Sequence, residues 1–151
     1  MEFNIDSADA MQQFGRQVGA ACSGGEVIEL IGDIGAGKTT LTKGVAAGMG
    51  VVDEVQSPTF TLSRTYETPK GSVLAHYDFY RLNDPGILSA ELADASRSPF
   101  TTVVIEWADV VSHVLPKDRL SITITATAEE GRQVRLVAGG PKSVGLMEML
   151  T

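Results

Sequence analysis

Met11, Phe14, Val18 and Ala21 recur three or four residues apart among polar positions, which lays them along one side of a helix. The spacing predicts an amphipathic helix over about Ser7 to Cys22, capped by Asp6 or Ser7 and ended by Ser23-Gly24-Gly25. Val27-Ile28-Glu29-Leu30-Ile31 is a short apolar run bounded by glycines, the form of a buried parallel strand. After a glycine-rich stretch, Lys38 to Met49 reads as a helix closed by Gly50. Thr59–Tyr66 and Ser72–Tyr77 are strand-like runs around Thr68-Pro69-Lys70-Gly71, a predicted hairpin, so the sheet is expected to be mixed. Asp84-Pro85 can open a helix over about Gly86 to Ala95. Thr101 to Trp107, β-branched and apolar, is a second buried strand. Leu120, Ile122, Ile124 and Ala126 alternate with Ser121, Thr123, Thr125 and Thr127, giving a half-exposed strand. Gln133–Ala138 is expected to pair back on it across Glu129-Glu130-Gly131, and a short helix over about Ser143–Leu150 closes the chain. The order predicts an α/β fold, a mixed central β-sheet flanked by helices, as one domain over residues 1–151.

Composition narrows the function classes. Apolar residues make up 43% and charged ones 21%, a balance that supports a folded core. No apolar run is long enough to cross a bilayer. The opening MEFNIDSADAMQQF lacks a basic segment leading an apolar one, so no secretory signal is expected. A single cysteine, Cys22, permits no intrachain disulfide and suits a cytoplasmic location; its bland reading is a small buried hydrophobe. The net charge of −7 and scattered Lys and Arg argue against strong nucleic-acid binding by this chain alone.

The chemistry enters at Gly32-Asp33-Ile34-Gly35-Ala36-Gly37-Lys38-Thr39, which fits G-x-x-x-x-G-K-[ST]. Glycines let the backbone wrap so that successive N–H groups meet phosphate oxygens, and the following helix adds its free N–H groups and positive dipole end. A chance match in this composition is expected about 1% of the time, and the motif also lies between a predicted strand and a predicted helix. The loop is therefore read as a P-loop for a nucleoside triphosphate. Lys38 is assigned to the β- and γ-phosphates, Thr39 to Mg²⁺ and Thr40 to the α-phosphate.

No N-K-x-D signature for guanine is present, which favours ATP, and no L-S-G-G-Q-like run points to a transporter ATPase. Mg²⁺ chemistry needs a strand-end carboxylate. Val103-Val104-Ile105-Glu106-Trp107 supplies Glu106, whose bland alternative is a solvated strand end. Trp107 either fills the core or flanks the nucleotide. In SPTFTL (Ser57–Leu62), Thr59 and Thr61 on one strand face either sense the γ-phosphate or belong to an ordinary Thr-rich strand. In HYDFYRL (His76–Leu82), His76, Asp78 and Tyr80 alternate with Tyr77, Phe79 and Arg81; Asp78 is a second metal-shell or water-orienting candidate. With only two histidines, His76 and His113, the numbers argue against a histidine metal site.

GDIGAGKTT, SPTFTL, HYDFYRL and VIEW occur together in the order and spacing of one family, and over roughly residues 5–138 the chain resembles TsaE, a bacterial P-loop ATPase family of tRNA threonylcarbamoyladenosine synthesis. The resemblance implies an Mg²⁺-dependent ATPase acting with a TsaD-like transferase and its TsaB-like relative. Its ATP hydrolysis would support their turnover on adenosine 37, with tRNA held through the complex. It further implies that Gly35, Ala36, Gly37, Lys38, Thr39 and Thr40 form the phosphate loop, and that Thr39 and Glu106 are the Mg²⁺ pair. Asp78 would be an activity carboxylate, Thr59 and Thr61 would lie in a switch-like strand, Trp107 beside the acid, and Arg132 near the nucleotide.

Two departures stand out. Met11 replaces a threonine common in the family's first helix, and GILSAELADASRSPF (86–100) diverges from its pattern. Two other readings compete with the partner-stimulated ATPase. One is a nucleotide-gated scaffold with negligible hydrolysis of its own. The other is a small-molecule kinase using Arg64, Arg81 or Arg97.

Overall fold

The run Val27–Ile31 becomes the middle strand of a seven-stranded sheet in a computed structural model that describes residues 1–58, 61–80 and 82–150. In chain order the elements are β1 (Glu2–Ile5), α1 (Ala8–Ala21), β2 (Val27–Ile31), α2 (Lys38–Gly48), β3 (Ser63–Glu67) and β4 (Val73–Asp78). Then follow α3 (Leu88–Arg97), β5 (Thr101–Glu106), a 3₁₀ segment (Ala108–Val114), β6 (Leu120–Ala126), β7 (Arg132–Ala138) and α4 (Pro141–Glu148). The strand order is β1-β7-β6-β2-β5-β4-β3. β2 runs parallel to β5 and β6, and β4 parallel to β5, while β1–β7, β6–β7 and the β3–β4 hairpin are antiparallel. The sheet is mixed, as its sequence pattern requires.

Helices cover the sheet unequally. Ile28, Leu30, Leu74, Val104, Ile122 and Leu136 face α1, α2 and α4, whose Met11, Phe14, Val18, Leu41, Val45 and Leu146 complete one core. On the opposite face, Ala75, Tyr77, Phe79, Val103 and Ile105 pack beneath Leu92 of α3 and Ala108 and Val111 of the 3₁₀ segment. Each fully buried leucine or isoleucine contributes about 1.5–3 kcal/mol relative to exposure, so the parallel centre anchors the loops at its ends.

α1 lies directly on α2, and glycine makes this approach possible. Gly15 on α1 meets Gly44 on α2, and four residues further along each helix Gly19 lies against the Val45 backbone and Gly48 against that of Arg16 and Ala20. A Cβ on Gly19 would stand 2.0 Å from the Val45 carbonyl oxygen, and one on Gly44 2.3 Å from that of Gln12. The helix that carries Lys38 is thereby seated backbone to backbone.

The structure departs from the sequence pattern in several places. Glu2–Ile5 is a strand paired with β7, from Glu2 opposite Arg135 to Ile5 opposite Arg132. Of the expected strand over 59–66, residues 59 and 60 lie outside the described residues and the described strand runs from Ser63, because Leu62 adopts φ 67, a left-handed turn conformation that ends extension. Thr61 therefore lies in a turn and not on a strand face. The helix after Asp84-Pro85 begins at Leu88, and α4 begins at Pro141, whose fixed φ suits a first helical turn. No described helix is long and apolar enough to cross a membrane.

Candidate functional site

β2 ends where the glycine loop begins, and the loop turns into α2 at Gly37, the N-cap, with φ 115. A side chain there would be strained, so the motif glycine is required by the backbone. α2 opens with no side-chain cap and no acidic residue in its first turn. By contrast, Ser7 accepts the Ala10 N–H at the start of α1 (3.0 Å), and Asp118 accepts the N–H groups of Lys142 and Ser143 at the start of α4. An uncapped helix start wrapped by a glycine loop is the arrangement that binds anions. Thr39 and Thr40 follow Lys38 in the first turn, both half-buried.

Lys38 is 7% exposed. Its Nζ donates to the Gly32 carbonyl and stands 4.0 Å from the centre of the Trp107 ring, a cation–π contact. Burial pushes the ammonium below the usual lysine range, and the charges of Glu106, Asp78 and Asp33 oppose that push. Trp107 holds φ 56 and ψ 51, a left-handed conformation rare for a bulky residue, which turns its ring from the strand end toward the loop lysine. Tyr80 meets the same ring, with centroids 5.0 Å apart. Trp107 is thus both a half-buried packing residue and a wall beside Lys38.

The two acidic candidates come together. Asp78 and Glu106 end adjacent parallel strands in direct register, on the face toward α2, and are 4% and 3% exposed. The C-terminal edge of parallel strands is where ligands bind in open α/β sheets. Asp78 Oδ1 accepts the Tyr80 N–H at 2.9 Å, and Glu106 Oε2 lies 2.6 Å from His76 Nε2. Among the described residues no three His, Cys, Asp or Glu side chains cluster as a metal cage. The donors present, two carboxylates and the Thr39 hydroxyl, are hard oxygens of the sort Mg²⁺ takes together with nucleotide phosphates.

Arg132, expected near the nucleotide, lies against the glycine loop. Its guanidinium donates to main-chain carbonyls: Nε to Ala36 (2.9 Å), and the terminal nitrogens to Gly35, Ala128, Glu129 and Gly131. It ties the β6–β7 turn to the glycine loop and lines a cleft of about 170 Å³. Ser7, Met11, Gly37, Thr40 and Glu130 share that cleft, so the methionine in the first helix does border the loop. Thr59 and Arg81 lie outside the described residues. Thr61 is exposed and its hydroxyl donates to the Ser63 carbonyl at 3.3 Å. Arg64 and Arg97 are exposed, and Arg97 pairs with Asp94 on α3, away from the loop in sequence and in its contacts.

His76 and the paired glycines had no separate role in the sequence reading. Their signals were there: a histidine in the same alternation as Asp78, and two G-x-x-x-G spacings, GRQVG and GVAAG.

Comparison with known proteins identifies the family. The family model "Threonylcarbamoyl adenosine biosynthesis protein TsaE" matches residues 5–134. The tRNA threonylcarbamoyladenosine biosynthesis protein TsaE of Bacillus subtilis (strain 168) is 38% identical over 129 residues, covering 84% of this chain and 78% of that protein. The protein of the same description from Streptomyces coelicolor is 36% identical over 138 residues, covering 87% and 93%. The crystal structure of Bacillus subtilis YdiB superimposes with a TM-score of 0.81 at 29% identity, covering 99% of this chain and 93% of that one. With the family match spanning most of its length and these relatives above 30% identity, the chain belongs to the TsaE family.

Proposed function

We propose that the protein is the Mg²⁺-dependent ATP-binding and ATP-hydrolysing component of tRNA N6-threonylcarbamoyladenosine synthesis, acting in the cytoplasm with TsaD-like and TsaB-like partners. The observation that carries this reading is the juxtaposition at one sheet edge of an uncapped α2 start, a buried lysine and two in-register carboxylates. The loop N–H groups and Lys38 bind and orient the phosphates. Thr39 and Glu106 would hold Mg²⁺, which neutralises charge on the β- and γ-phosphates when bound. Asp78, fixed by the Tyr80 N–H, orients the attacking water. Trp107 and Tyr80 wall the lysine from solvent, where a lower dielectric strengthens its pull on phosphate. The cleft bordered by Met11, Thr40 and Arg132 takes the nucleoside.

Arg132 is held by five carbonyls, so a cation for the developing charge would come from elsewhere, and a partner side chain can supply it. Hydrolysis by the isolated chain is then slow. That same feature favours the scaffold as the second reading, in which ATP drives assembly and is hardly consumed.

ATP hydrolysis should be measured for the chain alone, then with the TsaB-like and TsaD-like proteins and tRNA. Strong stimulation is expected, with Lys38→Ala weakening ATP binding and Glu106→Ala losing about tenfold or more in turnover. ATP-dependent assembly without stimulated hydrolysis would favour the scaffold. Equal turnover in wild type and Glu106→Ala would remove Glu106 from the mechanism.

A further inference from the structure

Beside the phosphate site Glu106 has a buried polar partner, His76, that the reading above leaves without a task. His76 is 0% exposed, and its Nε2 is 2.6 Å from Glu106 Oε2. Parallel register sets His76 opposite Val104 and Asp78 opposite Glu106, so the ring reaches diagonally across the β4–β5 ladder to the strand-end carboxylate. An ionised carboxylate oxygen can only accept, which assigns the shared hydrogen to Nε2. Nδ1 is buried with no hydrogen-bond partner among the described residues. A ring kept only for packing would be better replaced by an apolar side chain of the same size, since the orphaned Nδ1 carries a desolvation cost. What the ring offers beyond packing is its one polar contact, to Glu106.

We propose that His76 is a positioning residue: its Nε2–H grips Glu106 Oε2 and sets the carboxylate rotamer, so that Oε1 is presented as the oxygen donor for a nucleotide-bound divalent cation. This inference rests on the reading of Glu106 as the Mg²⁺-side carboxylate. The physical need is specific. Glu106 is 3% exposed at a strand end, and a carboxylate on three side-chain torsions there can turn its oxygens away from the ligand. Partners that orient a metal-binding side chain act through such a hydrogen bond, and losing one costs about 10–100-fold in metal affinity. Gly32, Trp107 and the charges around Lys38 act on the lysine side of the site; His76 acts on the acid from the β4 side.

The test compares wild type, His76→Leu and His76→Gln, using Mn²⁺ as a paramagnetic stand-in for Mg²⁺ and a fluorescent ADP analogue. Nucleotide affinity is measured in chelator, then Mn²⁺ affinity of the nucleotide complex by electron paramagnetic resonance, with thermal unfolding as a control. The glutamine amide nitrogen can take the place of ring Nε2, whereas leucine fills the space without a donor. His76→Leu is expected to lose about tenfold or more in Mn²⁺ affinity with chelator-measured nucleotide affinity unchanged, and His76→Gln to stay within about threefold of wild type. In the Glu106→Ala background, His76→Leu should cause no further loss. Equal Mn²⁺ affinity in wild type and His76→Leu would overturn the proposal. So would a glutamine variant no better than leucine, the outcome of a packing role. Should the leucine variant not fold, His76→Asn, whose shorter amide falls short of Glu106, replaces it with the same expected loss. A wild-type chain that binds the nucleotide but whose complex takes no Mn²⁺ would sink the Mg²⁺ reading of Glu106 itself. That result is distinct from a failure confined to His76.

Discussion

Helix propensity and packing make opposite predictions for Gly19→Ala. In an unhindered helix, replacing glycine by alanine stabilises by about 1 kcal/mol. At Gly19 the new Cβ would stand 2.0 Å from the Val45 carbonyl oxygen, with the Val45 carbonyl carbon at 2.8 Å. Both obstacles are backbone, so no rotamer change relieves them, and α1 must lift from α2 by over an ångström. Overpacking of this sort costs about 1–3 kcal/mol, at the upper end where backbone must move and contacts along the helix pair are lost. After the propensity gain, the net loss is about 2 kcal/mol, a fall in Tm of about 4–8 °C for a chain of this size. Gly145 on α4 is the matched control, because a Cβ there meets nothing within 4 Å; Gly145→Ala should gain up to about 1 kcal/mol. Urea denaturation of both variants measures the difference directly. Because α2 carries Lys38 in its first turn, Gly19→Ala should also weaken ATP binding, whereas Gly145→Ala should not. A Gly19→Ala protein as stable as Gly145→Ala would refute the argument that backbone contact, rather than propensity, sets this position.

Two further outcomes follow from buried charges. Burial holds Lys38 below its ordinary value near 10.5, and an arriving phosphate would raise it again, so nucleotide binding should take up more protons as pH rises toward 10.5 than at pH 7. Calorimetry in buffers of different ionisation enthalpy reads this, and a proton count that does not vary with pH would contradict it. Glu26 accepts from the N–H groups of Ser23 (2.8 Å) and Gly24 (2.9 Å) and from the Thr102 hydroxyl (2.8 Å). Burial alone would raise its pKa, but these bonds prevail and hold it below the ordinary 4.5. A lowered carboxyl stabilises the fold above its unfolded value and stops doing so as pH falls through the folded one. Glu26→Gln should therefore cost about 1–2 kcal/mol at pH 7, and the difference from wild type should shrink below pH 4.5. Denaturation midpoints across pH 7 to 3 test it; a constant difference would show that the carboxylate charge is immaterial.

How much of this was legible in sequence depends on the range of the interaction. The Gly32–Thr39 loop, the strand at Val27–Ile31 and the buried strand ending in Glu106 were readable because each is encoded within a few consecutive residues. A left-handed glycine, an uncapped helix start and an apolar run are local features, and the resemblance to TsaE rests on four such stretches in order. β1 was not readable: four residues carry too little alternation, and only pairing with Arg132–Arg135 makes them a strand. The start of β3 at Ser63 was set by the Leu62 turn, which its residue types do not announce.

The site shows the same division. Chain chemistry nominated Lys38, Asp78 and Glu106 separately, but their meeting depends on β4 lying parallel to β5 in one register, where a shift of one residue would turn Asp78 to the other face. The bond from His76 to a glutamate 30 residues away, and the grip of Arg132 on a loop 96 residues earlier, exist only once that register and the β6–β7 turn are in place. Sequence by itself determined which residues could bind phosphate and where backbone must bend, because those are properties of a few adjacent residues. Tertiary structure decided which side chains face one another, because strand register and helix approach are settled by packing between segments far apart in the chain.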